Sequence, residues 1–404
     1  MTPRADARHA PRAKSGRHSK PRSSGRLAAI PPSGTIAIGR RVRQLRAQGI
    51  DVVNLGGGVP DPAPDCLSRP FALKHELNAI GDPAGDPALR AGIAERLESD
   101  QGTAYDPLTE IAITVGAKQG LYAALLSLID PGDEVAVLDP AWVTYAPSVA
   151  IAGGIARTFA LDPTHGFALD VGALSRAVTE NTRVVVINTP HNPTGRVFTE
   201  AELNGVADIC RERNLWVISD ESFDKFVFDN HHHLSIAALP GMRERTVVLK
   251  SFSKAYGMIG ARVGYVAGPA DVIVGIIKFS EQVISCVSPF MQALALSALA
   301  EEPDWTRRLR ASYCRKRDLV VEGVRKLKGF DCRIPEGTFY VFADIRGLGM
   351  SSVEAAESIL EKACVALTPG SAFGAGGEGY VRFNLAPSLD IIQDGLNRLK
   401  RAYA

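Results

Sequence analysis

The sequence predicts an α/β protein in which helices cover both faces of a mixed, mostly parallel sheet. Three runs, residues 182–187, 216–219 and 246–249, are rich in Val, Ile and Leu, as is typical of parallel strands that are buried on both faces. Segments with helical spacing alternate with these runs, which favours a chain built from strand-helix units. At 404 residues the chain is long enough for one large domain and a smaller one.

Composition excludes several classes of protein. The net charge of +2 creates no global field for nucleic acid, and no apolar run reaches membrane-spanning length. The six cysteines are scattered without a CxxC pair, which indicates reduced thiols and predicts a cytoplasmic protein. Residues 1–26 are basic and rich in Pro and Ser, so we expect a disordered, solvated tail without a secretory signal. Composition alone leaves a transit peptide open.

The first elements lead into two glycine-containing turns. Residues 36–45 have helical spacing, and residues 51–55 form a strand pattern that enters Gly56-Gly57-Gly58. These glycines allow close backbone approach to a ligand, although a tight turn explains them almost as well. The β-rich run 110–115 then leads through Gly116 into a helix that begins with Ala117-Lys118. Such a helix start presents free N–H groups to an anion, but the pattern is common in α/β turns.

Polar and aromatic residues follow the next strand patterns. Trp142 comes just after the strand at 134–138, at a carboxyl end where open α/β sheets bind ligands; it could stack on a flat ring or lie in the core. Asn192-Pro193-Thr194-Gly195 follows the strand at 182–187 and fixes the direction of its amide side chains. Asp220 ends the strand at 216–219 and needs a cationic partner if it is buried. We interpret His231-His232-His233 as a solvated loop and predict no metal site.

A lysine and two arginines lie in the C-terminal half of the chain. Lys254 follows the strand at 246–249 in Ser251-Phe252-Ser253-Lys254; a desolvated lysine becomes a neutral amine suited to Schiff-base chemistry. Arg262 and the two serines would bind an anion, plausibly a phosphate, while an ordinary surface loop is the competing interpretation. Arg382 lies inside a strand pattern at 379–384, where it needs an anionic partner, either a structural carboxylate or one on a substrate.

Five of these motifs occur in the order found in the class I/II aminotransferases, pyridoxal-phosphate enzymes of fold type I, which the chain resembles from about Leu27 to its C-terminus. The resemblance rests on Gly116-Ala117-Lys118, the Asn192 elbow, Asp220-Glu221, the Ser-x-Ser-Lys motif with Arg262, and Tyr380-Val381-Arg382. It implies an N-terminal arm and part of a small domain at 27–60, a large cofactor-binding domain at 61–300 and a small α+β domain at 301–404. It also implies a homodimer with sites at the subunit interface.

The resemblance implies a role for each site residue. Lys254 would form the internal aldimine with pyridoxal 5'-phosphate and shuttle the proton between the substrate and the cofactor. Asp220 would pair with the pyridine nitrogen, Trp142 would stack on the ring, and Asn192 would bond the 3' oxygen. Arg382 would bind the substrate α-carboxylate with help from Asn192 and the backbone near Gly58. The phosphate would be held by backbone groups of Gly116, Ala117 and Lys118 and by Ser251, Ser253 and Arg262.

Departures from the family pattern leave two reactions open. Phe223 stands where a tyrosine usually bonds the 3' oxygen, Ile80 where a tyrosine usually crosses the dimer interface, and Ala261 where a tryptophan is common. Val59 replaces a glutamate near the substrate entrance. The first hypothesis is an aminotransferase that acts on an α-amino acid and a 2-oxo acid. The second is a non-transaminating enzyme on the same fold, similar to aminocyclopropane-carboxylate synthase, that eliminates, substitutes or cyclises. Because the lysine is retained, a regulatory protein that keeps only the fold ranks last.

Overall fold

A computed structural model of the chain describes residues 25–28, 30–57, 80–300 and 302–404. The chain divides into a short N-terminal unit, Met1–Pro31, and a compact unit, Pro32–Ala404. Helix α1 belongs to the first unit and the other helices to the second. No helix in the described ranges is both long and apolar enough to cross a bilayer. The helices are α1 Gly25–Ala28, α2 Gly34–Ala47, α3 Pro87–Gln101, α4 Gly116–Leu128, α5 Tyr145–Ala152, α6 Val171–Ala177, α7 Glu200–Glu212, α8 Phe252–Ala255, α9 Ala270–Val283, α10 Pro289–Ala300, α11 Glu302–Val324, α12 Ser352–Ala363 and α13 Leu389–Tyr403.

The described strands form one large sheet and two smaller ones. They are β1 Val53–Asn54, β2 Ile111–Thr114, β3 Glu134–Asp139, β4 Ile155–Ala160, β5 Thr182–Asn188, β6 Trp216–Asp220, β7 Thr246–Ser251, β8 Gly264–Ala267, β9 Asp331–Cys332, β10 Tyr340–Asp344, β11 Val365–Ala366, β12 Thr368–Pro369 and β13 Tyr380–Asn384. The large sheet has the order β2-β8-β7-β6-β5-β3-β4. Its strands pair in parallel except where β8 runs antiparallel to β2 and β7, so the predicted mixed, mostly parallel sheet is confirmed.

The large sheet is buried because both its faces are apolar. All positions of β6 except Trp216 are buried, and so are all positions of β5 except Arg183. A strand with this pattern needs cover on both sides. Helix α4 packs its buried Leu121, Ala124 and Leu125 into the same core cluster as these strands. The sheet is therefore a rigid support for residues at its carboxyl edge.

The smaller sheets bring the N- and C-terminal segments together. One has the order β12-β13-β10-β9, and the other pairs β1 in parallel with β11. The backbone N–H of Asn384, at the end of β13, donates to the carbonyl of Leu55, which joins the residues after β1 to the four-stranded sheet. This arrangement places Arg382 of β13 in the interior, because every residue of β13 is buried.

Candidate active site

A pocket lies where β5, β6 and β7 end. These three strands are parallel neighbours, so their last residues, Asn188, Asp220 and Ser251, meet at one edge of the sheet. The pocket has a volume of about 230 Å³. It is lined by nine of the predicted site residues, Ala117, Lys118, Trp142, Asn192, Asp220, Ser251, Ser253, Lys254 and Arg262. The structure thus brings together side chains that are separated by up to 145 positions in the sequence.

Lys254 is held in the pocket by a single helical turn. Helix α8 starts directly after β7, and the side chain of its N-cap, Ser251, accepts a hydrogen bond from the backbone N–H of Ser253 at 3.1 Å. The Nζ atom of Lys254 lies 5.2 Å from the ring centroid of Phe339 and 5.9 Å from that of Phe223. Lys254 is half-buried and lines the pocket together with Phe223.

Asp220 is a buried carboxylate, 4 % exposed. Its Oδ2 accepts a hydrogen bond from the Tyr145 hydroxyl at 2.8 Å, and its Oδ1 accepts one from the Ser222 N–H at 3.0 Å. No ion pair with Asp220 occurs among the described residues. Burial raises the pKa of the Asp220 carboxyl above its ordinary value, against the hydrogen bonds from Ser222 and Tyr145, which lower it. A cation on a ligand would stabilise the charged form of this group.

Arg262 lies against Gly116 at the start of α4. Nη1 of Arg262 donates to Ser253 Oγ at 3.2 Å, which leaves further donors of its guanidinium available. Gly116 has a φ of +69°, and a Cβ built there would lie 2.6 Å from Nη2 of Arg262. Burial, together with the charge of Arg262, lowers the pKa of the Lys118 ammonium. An anion at the helix N-terminus would therefore meet backbone N–H groups and two cationic side chains.

Arg382 is almost fully buried and has no carboxylate partner among the residues that the structure describes. It is 4 % exposed, and burial lowers the pKa of its guanidinium. Nη1 donates to Asn192 Oδ1 at 2.7 Å, while Nε is buried without a hydrogen-bond partner. Among the described residues Arg382 makes no ion pair, so the structural carboxylate that the sequence left open is absent there. The unpaired Nε–H would donate a hydrogen bond to an anionic ligand.

These residues fit pyridoxal phosphate, which joins a cationic pyridine ring to an anionic phosphate. Asp220 offers a carboxylate that lacks a cation within the described chain, and it would hold the ring nitrogen. Because Gly116 lacks a Cβ, Arg262 can lie against the start of α4, and its guanidinium and the N–H groups there would hold the phosphate. Lys254 supplies the amine. The donor set therefore agrees with the cofactor that the resemblance implies.

The remaining sequence predictions concern Gly58, the departures from the family pattern and the three histidines. Gly58 and Val59 lie outside the described residues. Phe223 lines the pocket as expected for its position, and Ile80 is 84 % exposed. The interpretation of the three histidines as a solvated loop is wrong for His233, whose side chain is 8 % exposed and lies 3.2 Å from the buried carboxylate of Glu221. Glu221 also accepts hydrogen bonds from nearby side chains, so its burial draws His233 inward.

Sequence reasoning missed five residues that line the pocket, namely Tyr145, Asn188, Ser222, Ile259 and Tyr340. Two of them had a readable signal. Asn188 directly follows a buried strand pattern, and Ser222 lies two positions after Asp220, where a short loop must stay near the strand end. Tyr340 comes from β10 of a different sheet, and nothing local in the sequence places it there.

Comparison with known proteins agrees with this geometry. A model of the family described as aminotransferase class I and II matches residues 50–399. The chain is 37 % identical over 388 residues to the probable aspartate/prephenate aminotransferase of Aquifex aeolicus, covering 94 % of this chain and 98 % of the relative. It is 36 % identical to aromatic-amino-acid aminotransferase 2 of Thermococcus litoralis, covering 94 % and 97 %. The solved structure of aspartate aminotransferase from Thermus thermophilus with maleate superposes with a TM-score of 0.89 at 34 % identity, covering 95 % of this chain and all of that one.

Proposed function

The chain belongs to the aminotransferase class I and II family, a family of pyridoxal-phosphate enzymes, and we propose that Lys254 and Arg382 carry out its amino transfer. In this reaction an amino group moves between an α-amino acid and a 2-oxo acid, two substrates that share a carboxylate beside the reacting carbon. One observation supports the assignment most directly. Arg382 is a buried guanidinium whose Nε has no partner, next to an amide that holds Nη1. A substrate carboxylate would complete this site as a bidentate pair.

The cofactor supplies an aldehyde that takes up the amino group and a ring that withdraws electrons from the substrate carbon. Lys254 would take the proton from the α-carbon of the substrate as general base. It would then deliver this proton to the cofactor as general acid. Asp220 would hold a proton at the ring nitrogen, because its buried carboxylate is most stable beside a cation. Trp142 would cover a ring face, and Asn192, whose Oδ1 is engaged by Arg382, would direct its amide N–H to the 3' oxygen. Ser251, Ser253, Arg262 and the start of α4 would bind the phosphate.

The names of similar proteins indicate the class of amino donor. Several relatives are named for aspartate, and one is named for aromatic amino acids. We propose an amino donor from these two classes.

We also propose a homodimer, supported by Ile80, a large apolar side chain that is 84 % exposed in the single chain. Sedimentation velocity at micromolar concentration tests it, and a monomer would contradict it. The free thiols among the described cysteines support our proposal of a cytoplasmic location, which fractionation of cells tests.

The experiment compares the wild type with Lys254→Ala and Lys326→Ala. We expect wild type to change the absorbance of its bound cofactor on addition of aspartate or phenylalanine, and to form product amino acid and 2-oxo acid in equal amounts. Loss of the amine should abolish the covalent cofactor absorbance and lower the rate by at least about 10²-fold. Lys326 is paired with Glu322 on the surface, and its side chain is 61 % exposed. Lys326→Ala should therefore leave the cofactor absorbance and the rate of amino transfer unchanged.

Product analysis separates this function from the elimination or cyclisation that Phe223 first suggested. A missing phenol at this position favours the alternative, and its products would contain ammonia or a cyclic amino acid instead of a matched pair. Aminotransferase activity would be refuted if no amino acid of either class alters the absorbance of the wild type. An unchanged spectrum in Lys254→Ala would refute the role of the lysine.

A further inference from the structure

We propose that Tyr340 and Phe373, the aromatic pair, hold the Arg382 cation in place without occupying its carboxylate-binding edge. The proposal rests on the proposed function, in which Arg382 receives the substrate carboxylate. It assigns to two apolar ring faces the task that a structural carboxylate performs for most buried arginines. The aromatic pair consists of positioning residues, because it acts on substrate through Arg382.

The geometry of the aromatic pair follows from the four-stranded sheet. Strands β10 and β13 are antiparallel, with Tyr340 opposite Asn384 and Phe342 opposite Arg382. Tyr340 and Arg382 are therefore diagonal neighbours on the same face of the sheet, within reach of long side chains. The Cζ atom of Arg382 lies 3.9 Å from the ring centroid of Tyr340, which is short enough for the guanidinium plane to stack on the ring.

Phe373 approaches the same guanidinium from a different element. It ends the short 3₁₀ turn Gly370–Phe373, and its ring centroid lies 4.6 Å from Cζ of Arg382. The carbonyl of Phe373 accepts a hydrogen bond from the Ala141 N–H at 2.7 Å, beside Trp142 in the pocket. This contact fixes the turn against the loop after β3. Both rings are buried, so neither is free to swing into solvent.

The electrostatics explain why rings suit this position. Removing a charge from water is costly unless the charge is compensated, and Arg382 is compensated by no acidic side chain in the described chain. An acid would bind the same N–H donors that the substrate carboxylate needs. An aromatic face instead attracts the cation through its quadrupole, from above the guanidinium plane, and leaves the donors in that plane available. Burial strengthens this attraction relative to an exposed site.

The hydrogen bonds of Arg382 indicate which donors remain. Nη1 is held by Asn192 Oδ1, and Nε is buried without a partner. Because Asn192 holds Nη1 and the aromatic pair covers the guanidinium, the edge formed by Nε and Nη2 is the one left for a ligand. We infer that the carboxylate binds this edge side-on, and that loss of either ring lets the guanidinium tilt and weakens that bond.

The test measures carboxylate binding rather than turnover. Succinate, which has no amino group, is titrated calorimetrically into the holoenzyme of wild type, Tyr340→Leu, Phe373→Leu and Tyr340→Phe. We expect each leucine variant to raise the Kd of succinate about tenfold, in keeping with a buried cation–π contact. Tyr340→Phe keeps the ring and should bind within about twofold of wild type. Phe373 does not line the pocket, so its variant separates this effect from cofactor contacts.

Phe330→Leu is the matched control for loss of a buried ring. The ring centroid of Phe330 lies 5.3 Å from that of Tyr403, in the apolar core that also contains residues of β10 and β13, and Phe330→Leu should leave the Kd of succinate unchanged. The proposal is overturned if both leucine variants bind like wild type, if Phe330→Leu weakens binding equally, or if wild type binds no succinate. Succinate binding without amino transfer would instead refute the proposed function and leave the aromatic pair standing. If the wild type transfers amino groups and both leucine variants bind succinate like wild type, the proposed function stands and the role of the aromatic pair is refuted.

Discussion

At the scale of single residues, Asp220 couples the stability of the protein to its cofactor. Burial raises the pKa of this carboxyl, so the folded protein holds the proton more tightly than the unfolded chain. A group of this kind contributes its full stability below its ordinary pKa, and this contribution is lost as the pH rises through the raised pKa. Above this raised pKa the apoprotein carries a buried anion, which a cationic cofactor ring would neutralise.

Asp220→Asn should stabilise the apoprotein and impair the enzyme. We expect a higher free energy of unfolding than wild type at pH 8, within the range of about 0.5–3 kcal/mol typical of single substitutions, and a difference that shrinks as the pH falls toward 4. Amino transfer should fall by at least about 10²-fold because the ring nitrogen loses its carboxylate. Urea unfolding at several pH values and steady-state rates measure the two effects.

Asp344→Asn provides the opposite sign as a control. Hydrogen bonds and charge from Arg346 hold the pKa of the Asp344 carboxyl below its ordinary value despite partial burial. Its contribution is present above the ordinary pKa and lost at lower pH, so the variant should be slightly less stable at pH 8, by less than about 1 kcal/mol. A less stable Asp220→Asn apoprotein at pH 8 would contradict the argument for Asp220.

The charged residues of the site could be identified from the sequence, but the side chains that form hydrogen bonds with them could not. Lys254, Asp220 and Arg382 are charged residues beside apolar runs, which is unusual enough to single them out. Tyr145 donates to Asp220 across 75 positions, and that contact depends on the placement of β3 and β6 on either side of β5. Sequence pattern predicts that strands exist but seldom their order, so such partners remain hidden.

At the scale of elements, the start of α4 has to accept both a left-handed residue and a neighbouring guanidinium. Gly116 has a φ of +69°, and a Cβ there would meet Nη2 of Arg262 at 2.6 Å. Gly116→Ala should therefore displace Arg262 in addition to straining the backbone. We expect the Kd of pyridoxal phosphate to rise about tenfold, the scale of one weakened charge-assisted hydrogen bond, measured by equilibrium titration of the apoprotein.

Gly102→Ala separates backbone strain from contact. Gly102 follows α3 with a φ of +66°, and nothing lies within 4 Å of a Cβ built there. Both variants should lose about 1–2 kcal/mol of stability from the left-handed conformation, while only Gly116→Ala should weaken the cofactor. Equal cofactor affinity in the two variants would show that Arg262 adapts at no cost.

The long apolar strands could be predicted from the sequence, and the two-residue strands could not. The runs that became β5, β6 and β7 are long and β-branched, so burial alone determines them. Strands β1, β9, β11 and β12 have two residues each and form because longer strands or packed segments lie beside them. The antiparallel β8 follows α8, the helix that carries Lys254, and its direction depends on a turn whose geometry the sequence does not reveal.

At the scale of the whole molecule, the segment that contains β1 is bound to C-terminal elements of the compact unit. The N–H groups of Val53 and Leu55 donate to the carbonyls of Cys364 and Ala366, and Arg398 of α13 donates to the backbone carbonyl of Asp51 at 2.8 Å. These contacts join residues 51–55 to the C-terminal segments. The boundaries predicted at residues 61–300 and 301–404 stay a proposal, which limited proteolysis tests by the position of the first cuts.

Two truncations would measure how much the N-terminal segment contributes. Removal of residues 1–31 deletes the separate N-terminal unit and should leave the Tm within about 2 °C and the cofactor bound, because the compact unit starts at Pro32. Removal of residues 1–57 also deletes β1 and the buried Val52, Val53 and Leu55. Each such side chain contributes about 1.5–3 kcal/mol, so together they approach the total stability of 5–15 kcal/mol expected for a folded protein. The longer truncation should therefore fail to fold, as measured by circular dichroism and cofactor absorbance. A folded protein that lacks residues 1–57 would mean that the two smaller sheets are stable without β1. A protein that unfolds on loss of residues 1–31 would place essential contacts before Pro32.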